Sequence, residues 1–148
     1  MQNVHSLTLP GNLEALQYVA DFVKQVGSIA GLDKKAIYNL RLAVDEIATN
    51  IITHAYEETD TQGSLYLEAS VTEGYLTIVI EDTGAAYDPR QAVPQEIQTI
   101  DIPLAQRPIG GLGIYLAIEG VDEFAYERIN QRNRNIFRMQ RRSLSTSS

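Results

Sequence analysis

The chain has 148 residues, no cysteine and a formal net charge of −7 at neutral pH. This length suits one domain with its own core, and 44% hydrophobic against 21% charged residues is typical of a globular protein. The lack of cysteine excludes disulfide scaffolds and thiolate metal sites and fits a reducing compartment. The acidic charge disfavours nucleic acid and anionic lipid, and no apolar run is long enough to span a bilayer. We therefore expect a cytoplasmic protein with no direct nucleic-acid partner and no membrane partner.

The first third of the chain predicts one strand and two helices. Alternating residues at 5–9 indicate a strand, and Asn12 is a candidate cap for the helical spacing of apolar residues that follows. That helix is expected to end near Gly31. Asp33 is the next candidate cap, and the second helix should run to about Tyr56.

The rest of the chain predicts two hairpins, a long loop and a short helix. Residues 64–71 and 75–82 read as strands joined by a turn in which Gly74 supplies a positive φ. Residues 85–111 contain four prolines and no sustained period, so we interpret them as a lid. A helix should begin after Gly111, and a last hairpin should turn around residues 130–133.

This order of elements predicts an α+β fold. We expect a two-layer sandwich, in which a mostly antiparallel mixed sheet is covered on one face by helices. No internal repeat is visible. The expected organisation is one domain over residues 1–142, followed by a disordered tail at 143–148.

The most informative stretch is LRLAVDEIATNIITHAY at residues 40–56. Its apolar residues recur at helical spacing, whereas Glu46, Asn50 and His54 are each four residues apart and share one face. An acid and an amide on a half-buried stripe indicate a functional site. The alternative is a Glu–Asn pair on a solvated helix face.

Two later stretches favour the functional interpretation. Asp82 and Gly84 end an apolar strand, and a glycine-rich loop with Gly111 and Gly113 runs directly into an apolar helix. A D-x-G triplet alone is common turn chemistry. In the order Glu46-x-x-x-Asn50, D-x-G, G-x-G, however, the three boxes resemble those of the histidine-kinase-like ATPase superfamily. Size and spacing are similar to its anti-sigma-factor serine-protein kinases, and the resemblance extends over almost the whole chain.

The resemblance implies a site for ATP and Mg²⁺. Asp82 can accept a hydrogen bond from the exocyclic amine of adenine, with Gly84 leaving room for the base. Asn50 offers the hard oxygen that Mg²⁺ prefers. Glu46, one turn earlier, can act as the base that deprotonates an incoming hydroxyl.

The glycine-rich loop should bind the phosphates. Gly110, Gly111 and Gly113 allow close approach of the backbone, and the helix that follows directs its N-terminal amides toward negative charge. Arg107 either reaches the γ-phosphate as a cation or faces water.

By resemblance, the protein is an ATP-dependent serine/threonine protein kinase that acts as an anti-sigma regulator. It would phosphorylate a small antagonist protein and, in its other state, sequester a sigma factor or similar target. Homodimers are common in this family, and the acidic surface would suit a basic partner. The alternative is a catalytically silent, nucleotide-gated binding protein.

Several features stay open at this stage. His54 is either a metal ligand beside Glu46 and Asn50 or a structural residue. The family pattern has a glycine where Ala86 stands, and a threonine in the last strand where the alignment places Arg138. Arginines near the end of the chain form either a patch for an acidic partner or a solvated strand; they are Arg132, Arg134, Arg138, Arg141 and Arg142.

Overall fold

The computed structural model describes residues 3–92 and 112–141. Five strands form one sheet: β1 (Asn3–Pro10), β2 (Ser64–Val71), β3 (Tyr75–Asp82), β4 (Glu123–Ile129) and β5 (Arg132–Gln140). Within the described ranges, three α-helices accompany them: α1 (Ala15–Ile29), α2 (Lys34–Ile51) and α3 (Leu112–Glu119).

The strand order in the sheet is β1-β2-β3-β5-β4, so the last strand in sequence lies between β3 and β4. Every strand pair within the described ranges is antiparallel, so the sheet is antiparallel and not mixed as predicted. The two-layer α+β architecture is confirmed. The inward side chains of the strands form one core with the buried faces of α1 and α2. On β2, for example, Leu65, Leu67 and Ala69 are at most 2% exposed while Glu68 faces solvent.

Side chains cap one helix and not the other. Asp33 precedes α2 as predicted, and its Oδ1 accepts a hydrogen bond from Ala36 N at 2.8 Å. The prediction for Asn12 is wrong: the N-cap of α1 is Glu14, and it makes no side-chain capping bond. Gly31 ends α1 with a φ of 76°, a conformation that favours glycine.

The two hairpin turns differ in what holds them. Gly74 does not have a positive φ, contrary to the prediction. The threonine hydroxyl holds this turn instead, because Thr72 Oγ1 accepts from Tyr75 N at 3.2 Å and Thr72 N donates to Tyr75 O at 2.9 Å. In the last hairpin, Asn130 and Gln131 have φ values of 52° and 65°, the signature of a tight type I′ turn.

The second helix changes character near its end. The α-helix stops at Ile51, and residues Ile52–Glu57 continue as a π-helix, which we call the π segment. The prediction of a helix reaching Tyr56 is therefore correct in extent but not in type. Single π turns inside helices frequently mark functional sites.

Parts of the sequence-based interpretation fall outside the described residues. Of the predicted lid, the structure describes residues 85–92, which include a 3-10 turn at Pro89–Ala92, and the remainder at 93–111 lies outside. The predicted tail at 143–148 also lies outside, and the domain boundaries stay a prediction. Within the described ranges, no helix is long and apolar enough to cross a membrane.

Candidate functional site

A cavity of about 190 Å³ opens between α2 with its π segment and the ends of β3 and β5. The structure thus brings Asn50 and Asp82, which the sequence proposed for one site, to the same cavity. The lining residues are Ile47, Asn50, Ile51, His54, Ala55, Thr59, Asp82, Ala85, Ala86, Tyr87, Pro89, Asn133 and Asn135.

Asp82 is a buried carboxylate at the end of β3, with only 2% of its surface exposed. Its Oδ1 accepts hydrogen bonds from Gly84 N at 2.8 Å and Asn133 Nδ2 at 2.9 Å. Burial raises the pKa of Asp82, an effect that these hydrogen bonds and the charge of Arg128 partly offset. No described residue donates a hydrogen bond to Oδ2, so among these residues Oδ2 is available as an acceptor at the cavity.

Asn133 on β5 holds the backbone that follows Asp82. Its Nδ2 also donates to Ala85 O at 2.9 Å, and its Oδ1 accepts from Tyr126 OH and from Tyr87 N at 3.2 Å. Every polar atom of this amide is thus used. Because the network joins β4, β5 and the loop after β3, it fixes the direction of the Asp82 carboxylate.

Asn135, two residues further along β5, differs from Asn133 because its side-chain oxygen has no hydrogen-bond partner among the described residues. It is 2% exposed, it lines the cavity, and its buried Oδ1 has no hydrogen-bond partner among the described residues. A buried polar atom without a partner is unusual and costs free energy, so a ligand in the cavity is the natural candidate to satisfy it.

The two asparagines were missed by the sequence interpretation, which placed Arg138 near the site. Residues of β5 alternate between the two faces of the sheet, and Arg138 belongs to the outer face, opposite Thr77 and 3.9 Å from Glu123. Its side chain is 45% exposed. The signal was available, because two asparagines occupy inward-facing positions of β5, whose other inward-facing residues, Phe137 and Met139, are apolar.

Gly84 has a role in packing within the protein, while its predicted role beside the base stays a prediction. A Cβ at this position would lie 2.6 Å from Ala55 Cβ in the π segment and 3.1 Å from Asp82 Oδ1. The glycine therefore permits close contact between the loop and the π segment. Arg128 Nη1 donates to Gly84 O at 2.7 Å and fixes this loop from β4.

Tyr56 connects the π segment to both neighbouring strands. Its ring lies against Gly11 and Gly63, where any Cβ would meet it below contact distance. Its hydroxyl donates to Ser64 O at 2.9 Å and accepts from Thr83 N at 3.2 Å. Since Thr83 directly follows Asp82, this tyrosine sets the position of the site relative to the sheet.

His54 lies at the edge of the cavity with a structural partner. Its Nδ1 is 2.8 Å from Glu58 Oε1, and its ring centroid is 6.2 Å from that of Tyr87. Within the described ranges, no three His, Cys, Asp or Glu side chains gather as a metal site would require. These contacts favour the structural interpretation of His54. Asn50, half-buried on the same helix, offers a single oxygen ligand.

Glu46 lies beside the start of α3 rather than in the cavity wall. A Cβ added to Gly113 would be 2.8 Å from Glu46 Cδ, so the carboxylate packs against the first turn of α3. The structure thereby joins the first and third sequence boxes directly. Arg107, Gly110 and Gly111 are outside the described residues, and their roles stay predictions.

The arginines of β5 are paired with carboxylates. Arg132 Nη1 is 3.2 Å from Glu81 Oε1, and Arg134 bonds to both Glu81 and Glu127, the latter at 2.8 Å. These arginines therefore form a paired outer face of the sheet, in line with the solvated-strand interpretation. Arg141 is also engaged, since it donates to Ala30 O at 2.8 Å.

The fold and the site together are those of an ATPase-type domain. Asp82 is a buried acid at the end of the central strand β3, and α2, which carries Asn50, packs through Glu46 against Gly113 at the start of α3. The family model for the histidine kinase-like ATPase domain matches residues 9–141, and the chain belongs to this family. The family predicted from the three sequence boxes is thus confirmed.

The chain is also similar to individual proteins of known name. It is 30% identical over 118 residues to the serine-protein kinase RsbW of Listeria monocytogenes, covering 78% of this chain and 74% of that protein. The RsbW of Bacillus subtilis is 30% identical over 119 residues, or 79% and 73% of the two chains.

Solved structures show the same fold. The RsbU and RsbW domains of a Mycobacterium tuberculosis protein superpose with a TM-score of 0.64 at 15% identity, covering 95% of this chain and 34% of that one. A histidine kinase domain from Erythrobacter litoralis gives a TM-score of 0.50 at 18% identity, covering 84% and 59%.

Proposed function

We propose that this protein is an ATP-dependent serine/threonine protein kinase of the anti-sigma-regulator type. The observation that carries the proposal is a pair of acceptors in one cavity, Asp82 Oδ2 and Asn135 Oδ1, to which no described residue donates a hydrogen bond. Relatives that are named serine-protein kinases support the reaction class.

The cavity residues fit an adenine base. Its exocyclic amine carries two N–H donors, and Asp82 and Asn135 offer two acceptors that no described residue satisfies. Guanine and hypoxanthine have a carbonyl oxygen at the same position, which would face a carboxylate and an amide oxygen without a proton between them. Recognition therefore depends on hydrogen-bond donors that only adenine supplies there.

The remaining groups fit the phosphates and the transfer step. Asn50 would hold Mg²⁺, which neutralises phosphate charge when bound. Glu46 would accept the proton of an incoming serine hydroxyl as it attacks. Gly113 leaves space for that carboxylate, while Arg107, Gly110 and Gly111 are proposed to contact the phosphates.

The adenine site can be tested by exchanging donor and acceptor. Asp82→Asn keeps the shape, and because Gly84 N and Asn133 Nδ2 both donate to Oδ1, the new amide nitrogen should take the position of Oδ2. Wild type should bind ATP more tightly than inosine triphosphate in calorimetric titrations with magnesium, and Asp82→Asn should reduce or reverse that preference. An unchanged preference would remove Asp82 from the base site.

The transfer step needs its own experiment, because the second candidate is a nucleotide-gated binding protein without catalysis. Glu46 packs against Gly113 at the start of α3 and not in the cavity proposed for adenine, so base recognition and transfer are tested separately. Single-turnover transfer from γ-labelled ATP to a candidate antagonist protein separates the two. A kinase gives phosphoserine with wild type and little with Glu46→Gln, whereas a pure binder gives none with either.

The proposed partners are an antagonist protein that carries the acceptor serine and a sigma factor or similar target. A homodimer is the proposed assembly, by analogy with the family.

A further inference from the structure

A second depression in the molecule lies between α1 and α2, away from the cavity that holds Asp82. Its volume is about 380 Å³. We call it the helix groove, and its lining residues are Lys24, Ser28, Lys34, Ile37, Tyr38 and Arg41.

Positive charge is concentrated here in an otherwise acidic protein. The chain has three lysines, at positions 24, 34 and 35, and all of them belong to the helix groove or its immediate neighbour. Arg41 adds a fourth cation. A net charge of −7 makes such a cluster a local exception on the surface.

Unlike the arginines of the sheet, these cations have no contact ion pair with any described residue. Across residues 3–92 and 112–141, no carboxylate oxygen lies within ion-pair distance of Lys24, Lys34 or Arg41. The β5 arginines, in contrast, are matched by glutamates. Arg41 has only the longer-range attraction of Asp45, one turn along α2. Among the described residues, no direct ion pair therefore neutralises the charge of the helix groove.

The floor and wall of the groove are apolar. Ile37 packs over Gly27 so closely that a Cβ there would be 2.8 Å from Ile37 Cγ1, which brings the two helices together beneath the charges. Tyr38 is 53% exposed, and the Arg41 guanidinium lies 5.4 Å from its ring centroid. An exposed tyrosine bordered by arginine is a composition enriched at protein interfaces.

The spacing of the cations indicates the kind of ligand. Lys34 and Arg41 are seven residues apart on α2, about 10 Å along the helix axis. Charges spread over this length suit several carboxylates along a chain better than one small anion. We propose that the helix groove binds an acidic segment of a protein partner, with an apolar side chain of that segment seated against Tyr38.

The location relates this surface to the proposed kinase site without depending on it. Arg41 precedes Glu46 by five residues on the same helix, about 8 Å along its axis. A partner held in the helix groove would thus lie one and a half turns from the proposed base. Binding there requires neither nucleotide nor Glu46, so it can be tested even if the proposed kinase activity is absent.

The probe is a fluorescein-labelled peptide of ten glutamates with a central Leu-Phe pair, measured by fluorescence anisotropy without nucleotide. Control peptides replace every glutamate with glutamine or with lysine. The acidic peptide should bind best, and raising the salt about tenfold should weaken binding because the charges are exposed. Equal binding of the glutamine peptide would overturn the charge-based proposal.

Variants locate the site. Lys34→Glu should weaken binding on the order of 5-fold or more, because it removes one attraction and adds a repulsion. Tyr38→Ala should weaken it about 3-fold or more through lost apolar contact. Arg138→Glu on the outer face of the sheet makes the same change in net charge and should leave binding within about 2-fold. Thermal melts check that each variant is folded.

Two further outcomes would overturn the proposal. Equal losses in Lys34→Glu and Arg138→Glu would mean attraction by overall charge alone. Displacement of the peptide by millimolar inorganic phosphate, at matched ionic strength, would mean a small-anion site instead of a protein-binding surface. Asp82→Ala, which changes the proposed nucleotide site, should bind the peptide as tightly as wild type. A protein that fails to bind ATP can therefore still confirm or refute the helix groove.

Discussion

Replacing Asn135 with leucine should make the protein more stable and bind ATP less well. The side chain is 2% exposed and its buried Oδ1 lacks a partner among the described residues. An unsatisfied buried polar group costs about 1–3 kcal/mol, and leucine has a similar size without that group. Both side chains have four non-hydrogen atoms, and the larger methyl groups of leucine can extend into the adjacent 190 Å³ cavity. We expect the free energy of unfolding to rise by about 1–2 kcal/mol.

The measurement is thermal and urea unfolding of the nucleotide-free protein. For a domain of this size, a gain of that magnitude raises Tm by about 2–8 °C. Asn133→Leu is the matched control, because it lies two residues away on the same face of β5 but loses bonds to Asp82, Ala85 and Tyr87. That variant should lose about 2–4 kcal/mol.

The nucleotide affinity of Asn135→Leu should move in the opposite direction to its stability. Loss of one hydrogen bond to the base should weaken ATP binding by about 5- to 10-fold in calorimetric titrations. If Asn135→Leu were destabilised as strongly as Asn133→Leu, its amide would have a partner in the free protein. Asn135 Oδ1 would then not be an unused acceptor in the cavity.

Three further predictions follow from other contacts of the site. Gly113→Ala should displace the Glu46 carboxylate, so phosphate transfer should slow while the Kd for ATP stays within about 3-fold; an unchanged rate would separate Glu46 from the reaction. Tyr56→Phe keeps the ring but leaves Thr83 N without its acceptor, which should cost about 2 kcal/mol and lower Tm by about 4–8 °C; a Tm equal to wild type would contradict this. Burial raises the pKa of Asp82 above its usual 3.8, so the folded state binds the carboxyl proton more tightly than the unfolded state does. The free energy of unfolding therefore falls as pH rises from the unfolded pKa to the higher folded pKa. Asp82→Asn should therefore be more stable than wild type at pH 7, and the difference should vanish below the usual pKa of 3.8. Urea unfolding at several pH values measures this difference, and a difference that does not change with pH would contradict the prediction.

The sequence predicted most of the fold because its signals were local. Alternation in 64–71 and 75–82 and helical spacing around Leu40 each reflect one buried face, which the structure confirms. Asp33 was found as a cap because an acid before a helical period has a specific bonding role. Asn12 was not a cap, because Leu13 and Glu14 form a turn before α1. The backbone carbonyl of Asn12 accepts a hydrogen bond from Ala15 N in this turn.

The site was predictable only where one segment carried it. Asn50 and Asp82 could be proposed from their own boxes, and the cavity brings them together. Asn133 and Asn135 come to Asp82 through the register between β5 and β3, which the sequence interpretation did not resolve, so it considered Arg138 instead. The π segment was likewise hidden, since its turn differs from an α-helix in backbone bonding and not in apolar pattern.

The position of β5 has a consequence for how the protein is made. β5 is the last strand in chain order, yet it lies inside the sheet and supplies both asparagines of the cavity. A nascent chain that has emerged only through β4 can pair β1, β2 and β3, but β4 has no neighbour and Asp82 has no Asn133. Synthesis at about 5–20 residues per second leaves β3 with an open edge for seconds. Such an edge can pair with another chain, so expression yield should depend on how soon β5 is released and inserted.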